Sequence, residues 1–230
     1  MENQFQISII DDNIKMNLLD QHIIIPRIEL PENFMSWQSK SRMKMFKTLL
    51  NDGANSIKVQ PSHLPVIATL GNDEFPINLA TRGMGVLPKL KYLNKFTYFF
   101  EEIKKNLEGE SWPETLSLRV EAAQKFYYKT NFFDNKLLGG LEIFEGQTAN
   151  NIQQNPLVSL LYTGEAPEFL SYQFNGVIKF LDPQNDYYRF LRAARELFAF
   201  DSFHIPQVNY PAGYLFYPAE IHDKTPYPRR

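Results

Sequence analysis

The pattern of apolar and polar residues is clearest in the second half of the chain, where three elements follow one another. Residues 141–144 form a short apolar segment, and a polar turn follows at residues 146–148. Residues 149–154 have the length of a short helix that ends at Pro156, because proline disfavours a helical conformation in the residue before it. The nearly continuous apolar run at residues 157–162 then predicts a strand that is buried on both faces.

Two helices are predicted upstream. The first covers residues 36–51, and Asn51, Asp52 and Gly53 supply its stop signal. Its polar side carries four basic residues that we expect to face solvent: Lys40, Arg42, Lys44 and Lys47. The second helix covers residues 89–107, because its apolar residues recur every three or four positions: Leu93, Phe96, Phe100, Ile103 and Leu107.

Between these helices lies the clearest hairpin of the sequence. Residues 65–70 and 75–81 are both β-prone, and the turn between them is Gly71-Asn72-Asp73-Glu74. Farther on, the alternation of apolar residues predicts a strand over residues 116–129, although residues 121–124 could be helical. The Asn, Asp and Gly residues of 131–140 predict a turn, and strand alternation predicts that Glu142 points outward.

The C-terminal third contributes two more strands and a helix. Strands are predicted over residues 169–181 and 214–221. The helix between them is expected to start at Asp182-Pro183, with an N-cap carboxylate followed by proline. Its basic side chains Arg189, Arg192 and Arg195 are expected to form a solvated face.

Strands outnumber helices, and they do not alternate with helices as in a parallel sheet. We therefore predict a mainly β protein with peripheral helices (α+β), built as a mostly antiparallel barrel. Residues 1–33 are predicted to form an N-terminal extension with one or two strands that packs on the domain. Residues 34–225 are predicted to form a single domain, which suits a chain of 230 residues.

Composition narrows the function classes. Hydrophobic residues make up 43% of the chain, enough for a core, and the net charge of −2 gives no electrostatic case for nucleic acid. The chain has no cysteine, so thiolate metal sites and cysteine nucleophiles are excluded, and its four histidines lack metal-binding spacing. No signal peptide or membrane span is visible, which predicts a cytoplasmic protein with no membrane partner.

Two segments together resemble the FMN-binding split-barrel superfamily, which includes pyridoxamine-phosphate-oxidase-like and flavin-reductase-like proteins. PVIATLGNDEFPINLAT resembles the opening hairpin of the family, and GQTANNIQQNPLVSLLY resembles its later signature. The segments FNGVIKFLDP and YLFYPAEI are similar to a barrel strand and to the closing strand. The resemblance implies an antiparallel split β-barrel, with a helical insertion at about residues 86–113.

The resemblance also implies a flavoprotein with a flavin phosphate site. An FMN phosphate needs main-chain amides, hydroxyls and usually a cation at a turn or helix start. The matching residues are Thr81 and Arg82 after the hairpin, and Gly146, Gln147, Thr148 and Asn151 at the short helix. Many members of the family carry a lysine where this chain has Thr148, and no motif identifies the usual Arg and Lys pair.

The function implied is an FMN-dependent oxidoreductase that acts on a small organic molecule, with a nicotinamide cofactor as an electron source. The family further implies a homodimer with the site at the interface. No catalytic residue is identified, because the flavin supplies most of the reactivity. The alternative is a non-enzymatic split barrel that binds haem, another tetrapyrrole or a protein partner and has lost the flavin; the missing Arg and Lys pair favours it.

Overall fold

The computed structural model describes residues 5–18, 21–53, 62–165, 169–198, 207 and 209–226. Its N-terminal strands form a separate antiparallel sheet: β1 (Ser8–Ile10), β2 (Asn13–Leu18) and β3 (Gln21–Pro26). Asp11 and Asp12 connect β1 to β2 with φ angles of 51° and 58°, the left-handed conformation of a two-residue hairpin turn. Asp12 then pairs with Arg27 (2.7 Å) and with Lys136 of the main sheet (2.8 Å). The ion pairs link this sheet to the rest of the protein.

A seven-stranded antiparallel sheet forms the main body, in the order β5-β4-β8-β9-β10-β7-β6. Its strands are β4 (Val66–Leu70), β5 (Ile77–Thr81), β6 (Gly85–Pro88), β7 (Phe133–Glu142), β8 (Leu157–Thr163), β9 (Ser171–Leu181) and β10 (Ala212–Asp223). The predicted hairpin and the predicted strands at β8, β9 and β10 are confirmed, as is the mainly antiparallel α+β class.

The two edges of this sheet lie close together. Strands β5 and β6 occupy opposite edges, yet only residues 82–84 connect them. In a flat sheet these strands would be about 29 Å apart, at roughly 4.8 Å for each neighbouring pair. The chain from Thr81 to Gly85 reaches at most about 15 Å. The sheet therefore curls on itself, and the N–H of Met84 donates to the carbonyl of His63 just before β4 (2.8 Å).

Five helices surround the barrel in the described part of the chain: α1 (Glu32–Asp52), α2 (Leu90–Asn106), α3 (Trp112–Tyr127), α4 (Gln147–Gln154) and α5 (Asp186–Glu196). The predictions of α1, α2 and α4 are confirmed. Helices α2 and α3 lie between the neighbouring strands β6 and β7. The ends of this segment meet where the N–H of Lys89 donates to the carbonyl of Phe132 (2.9 Å). We call residues 89–132 the helical excursion.

Aromatic side chains fill the core on both faces of the sheet. Phe34 of α1 is fully buried and packs edge-on against Tyr162, Tyr172 and Phe174, with ring centroids 5.0, 5.8 and 4.8 Å away. On the opposite face, the helices pack through a second cluster in which Phe126 lies 5.0 Å from Phe96, 5.1 Å from Phe133 and 5.4 Å from Phe190. Edge-to-face pairs of this kind add to the free energy gained from burial.

The predicted strand over residues 116–129 is wrong, because this stretch belongs to α3. Leu116, Leu118 and Val120 alternate as in a strand, but Leu118 is 49% exposed. The residues that α3 buries are spaced by three and four positions and include polar members: Thr115, Arg119, Val120, Ala122, Ala123 and Phe126. The helical period was hidden because a buried arginine interrupts the apolar stripe.

Residues 131–140 are not a turn either, since most of them form β7. Glycine signals a close backbone approach here: a side chain on Gly140 would overlap the carbonyl oxygen of Gly83, and one on Gly139 would contact Leu87. The predicted start of α5 at Asp182-Pro183 is wrong as well. Asn185 is its N-cap residue and accepts a hydrogen bond from the N–H of Tyr187 (2.9 Å), whereas Asp182 accepts from the N–H of Gln184 in the preceding turn.

Candidate functional site

Four polar side chains hold α4 against the β4–β5 hairpin. The amide of Asn78 donates to the hydroxyls of Thr148 (3.0 Å) and Thr69 (3.3 Å), and the amide of Asn151 also donates to Thr69 (3.1 Å). Thr69, Thr148 and Asn151 are at most 3% exposed. Gly71 makes room for this cluster, because a side chain there would overlap the carboxamide of Asn151. These hydrogen bonds fix the position of α4.

The predicted anion-binding turn is therefore divided between two environments. Thr148 and Asn151 face inward and already make hydrogen bonds. Gly146 is the half-buried N-cap residue, while Gln147 is exposed and lies 3.5 Å from the carboxylate of Asp73. The groups that remain for an anion at this turn are the main-chain N–H groups at the start of the helix.

Thr81 and Arg82 lie at the other end of β5. They follow Asn78 by three and four residues, which is about 10 to 13 Å along a strand, so they are separated from the start of α4. Thr81 is exposed, and Nη1 of Arg82 donates to its carbonyl (3.1 Å). Nε of Arg82 is buried and has no hydrogen-bond partner among the described residues. An anionic ligand would satisfy this donor.

An apolar surface covers the outer face of β5, β4 and β8; we call it the outer apolar face. Directly paired residues of antiparallel strands point to the same side, which places Leu79 with Ala68, Ile77 with Leu70 and Val66 with Leu161. Four of these side chains are exposed by 36% to 65%: Leu70, Ile77, Leu79 and Leu161. Thr81 lies on this face opposite Val66. Contiguous exposed apolar residues mark an interaction surface.

Glu142 is buried at the end of β7 (1% exposed), so the predicted outward orientation is wrong. Its carboxylate accepts hydrogen bonds from the N–H groups of Ile143 (3.0 Å) and Phe144 (2.9 Å) and from the hydroxyl of Tyr214. Burial raises the pKa of Glu142, and the two main-chain N–H groups and nearby Arg82 only partly oppose this effect. The alternation of apolar and polar residues did not predict this orientation because both faces of β7 are covered here.

A cavity of about 360 Å³ lies between β6, β7 and the helices, and its basic lining was not foreseen. Arg42 was expected in solvent, yet it is half-buried with its guanidinium 4.9 Å from the ring centroid of Tyr127. Arg195 was also assigned to a solvated face, but Nε of Arg195 donates to the hydroxyl of Tyr210 (3.0 Å). Both residues sit within runs of basic residues, so spacing alone could not single them out.

The described residues contain no cluster of three or more histidine and carboxylate side chains that could hold a metal ion. None of the described helices has the length and apolar character needed to cross a membrane. No family model matches the chain, and no curated protein matches it.

Solved structures do align with the chain. HupZ from Group A Streptococcus aligns with a TM-score of 0.40 at 16% identity, over 79% of this chain and 93% of that chain. An F420 reductase aligns with a TM-score of 0.37 at 12% identity, over 70% and 90% of the two chains. HutZ, described as a haem storage protein from Vibrio cholerae, aligns with a TM-score of 0.35 at 10% identity, over 78% and 92%.

These three proteins are of the split-barrel class that the sequence resembles. At TM-scores below 0.5, the alignments transfer no site or activity to this chain.

Proposed function

We propose that the protein is a homodimeric split-barrel flavoprotein that binds FMN beside the outer apolar face. The observation that carries the proposal is the position of Thr81 at the end of this face, with Arg82 as the next residue. Arg82 offers a buried Nε without a partner among the described residues, and Thr81 is exposed next to it. A flat apolar ring system would pack on the face while its phosphate binds at this end.

The six predicted site residues fit a phosphate unequally. Thr81 and Arg82 supply a hydroxyl and a guanidinium, the groups that bind phosphate oxygens. Thr148 and Asn151 do not fit, because binding a phosphate would break their buried hydrogen bonds to the hairpin. Gly146 and Gln147 lie with them at the start of α4, where Asp73 adds negative charge. The proposed phosphate site is therefore Thr81 and Arg82.

When bound, FMN would supply two-electron chemistry on a small organic molecule, with a nicotinamide cofactor as the electron source. The residues of the chain would bind and orient: Arg82 neutralises the phosphate, and the outer apolar face excludes water from the ring. A second copy of the chain would cover the face and complete the site. The absence of cysteine supports a reducing, cytoplasmic location as part of this proposal.

A second candidate is a split barrel without flavin that binds haem, another tetrapyrrole or a protein partner. The engaged side chains of Thr148 and Asn151 favour it, because they remove two of the expected phosphate ligands. The same apolar face would then receive the macrocycle or the partner.

The colour of the purified protein distinguishes the flavin proposal from the haem or tetrapyrrole proposal. A yellow protein that releases FMN on denaturation supports the first, whereas a Soret band supports the second. If the protein is colourless, FMN at a hundredfold excess over its Kd should stabilise it by about 2.7 kcal/mol. A colourless protein whose Tm does not respond to FMN contradicts the flavin proposal.

Single-residue variants distinguish a phosphate bound at Arg82 from one bound at the start of α4. Arg82→Ala should weaken FMN binding about tenfold, because it removes a charged hydrogen-bond donor. Lys44→Ala removes an exposed positive charge from α1 and should leave the affinity unchanged. Asn151→Ala should lower the Tm without changing FMN affinity. If Asn151→Ala weakens FMN binding and Arg82→Ala does not, the phosphate lies at α4 instead.

A further inference from the structure

The cavity of about 360 Å³ is lined by none of the residues that form the outer apolar face, and helices α1, α3 and α5 contribute to its walls. Gly139 and Leu141 of β7 form part of its floor. Helix α1 contributes Phe46, helix α3 contributes Tyr127, and helix α5 contributes Phe190. A volume of this size is at the lower end of the range of small-molecule sites, whose walls are mostly apolar.

The charged side chains among the described lining residues of the cavity are all basic. Arg42 of α1 and Arg195 of α5 line it, and none of the described lining residues is acidic. The surface groove between α2 and α5 provides a contrast. There Lys104 and Arg192 both pair with Glu196, at 2.5 and 2.7 Å. Acidic side chains thus lie among the basic residues of the groove, and they form ion pairs with Lys104 and Arg192.

Among the described residues, Arg42 has only weak partners for its charge. Its guanidinium lies over the ring of Tyr127 (4.9 Å to the centroid), and Nη1 lies 3.9 Å from the sulfur of Met45. No described carboxylate is within ion-pair distance of it. A cation over an aromatic ring is generally held less strongly than one that forms a hydrogen-bonded ion pair. An anion at this position would gain the stronger interaction.

We propose that this cavity binds a small organic anion with an apolar body, such as an aryl-substituted or aliphatic carboxylate. The apolar body fills the space between Phe46, Phe190 and the glycine floor, and the carboxylate binds at Arg42. Neither Thr81 nor Arg82 lines this cavity, so the proposal does not depend on flavin binding.

Calorimetric titration of the full chain with 4-phenylbutyrate tests the proposal, with 4-phenylbutan-1-ol as the neutral match. We expect one saturable site for the acid and about tenfold weaker binding of the alcohol. Arg42→Gln should weaken the acid about tenfold and leave the alcohol unchanged. Lys47→Gln is the control, because it removes an exposed charge of the same helix. Ala194→Phe places a ring at the cavity lining and should prevent binding of both compounds.

The proposal is contradicted if the acid shows no saturable binding up to about 10 mM, a limit that corresponds to very weak affinity. It is also contradicted if the acid and the alcohol bind with equal affinity, or if Arg42→Gln binds the acid as tightly as the wild type does. The melting temperature of each variant shows that it is folded. FMN binding by Arg42→Gln should match the wild type, so that failure of this site and failure of the flavin proposal are recognised separately.

Discussion

At the scale of single residues, glycine has two different roles in this chain. Gly140 and Gly83 approach each other where β7 passes the connection between β5 and β6. A side chain on Gly140 would overlap a main-chain oxygen, which cannot move without shifting the strand. A side chain on Gly83 would meet no atom within 4 Å. The same residue type is thus required at one position and dispensable at its neighbour.

Gly140→Ala should therefore lower the free energy of unfolding by about 2 kcal/mol or more, because overpacking against backbone cannot relax. Gly83→Ala is the matched control and should change it by less than about 0.5 kcal/mol. Urea unfolding of both variants measures the difference. Equal effects would show that the two backbones are farther apart than described.

Glu142 should make stability depend on pH. Its pKa is raised in the folded protein by burial, so the folded state keeps a proton that the unfolded chain has lost. The stabilising contribution is complete below the ordinary carboxyl pKa of 4.5 and is lost as the pH rises through the raised value. Glu142→Gln keeps an acceptor for the N–H groups of Ile143 and Phe144 but does not titrate.

The unfolding free energy of the wild type should consequently fall relative to that of Glu142→Gln as the pH rises above about 4.5. Urea unfolding at several pH values measures this difference. Parallel pH profiles of the two proteins would mean that the carboxyl group titrates normally.

At the scale of elements, sequence patterns succeeded where one face is apolar. The spacing of Leu93, Phe96 and Phe100 predicted α2, and the turn at Gly71 predicted the hairpin. The patterns failed at α3, where buried Arg119 donates to Thr115 (2.8 Å) and to the carbonyl of Leu197 (3.0 Å). A buried polar residue with tertiary partners looks like a solvent-facing one in a sequence.

The candidate site shows the same limit. Thr148 and Asn151 have the right chemistry for an anion, but they form hydrogen bonds with the β4–β5 hairpin, across 70 and 82 residues of the chain. Local sequence cannot show that such a partner exists. Arg42, in contrast, was expected in solvent, and only the fold brings it to the cavity beside Tyr127.

The cap of α5 offers a direct test of a corrected boundary. Asn185 accepts the N–H of Tyr187, so Asn185→Ala should cost about 1 kcal/mol of stability. Asp182→Ala removes an exposed turn contact and should cost less. If thermal unfolding shows the larger loss for Asp182→Ala, the helix begins at Asp182-Pro183 as first expected.

At the scale of the whole molecule, the antiparallel class followed from the strand count, but the closure of the sheet did not. Closure depends on the three residues that carry the chain from one edge to the other, and no periodicity encodes that path. The outer apolar face likewise emerges only from strand register, because Leu70, Leu79 and Leu161 come from three separate strands.

The proposed homodimer can be tested on this face. Leu79 is 65% exposed at the edge strand, so Leu79→Lys should abolish dimer formation without loss of folding. Light scattering after gel filtration gives the mass. Leu118→Lys is the control, because Leu118 is 49% exposed on α3 and lies outside the face. A wild-type monomer, or a dimer that survives Leu79→Lys, would contradict this interface.

The helical excursion leaves and re-enters the barrel at one point, where Lys89 and Phe132 are hydrogen-bonded. Its length can therefore change during evolution without altering the register of β6 and β7. Phe100, Ala123 and Tyr127 of the cavity wall all belong to the excursion. A split-barrel protein that lacks this segment should therefore also lack this cavity wall.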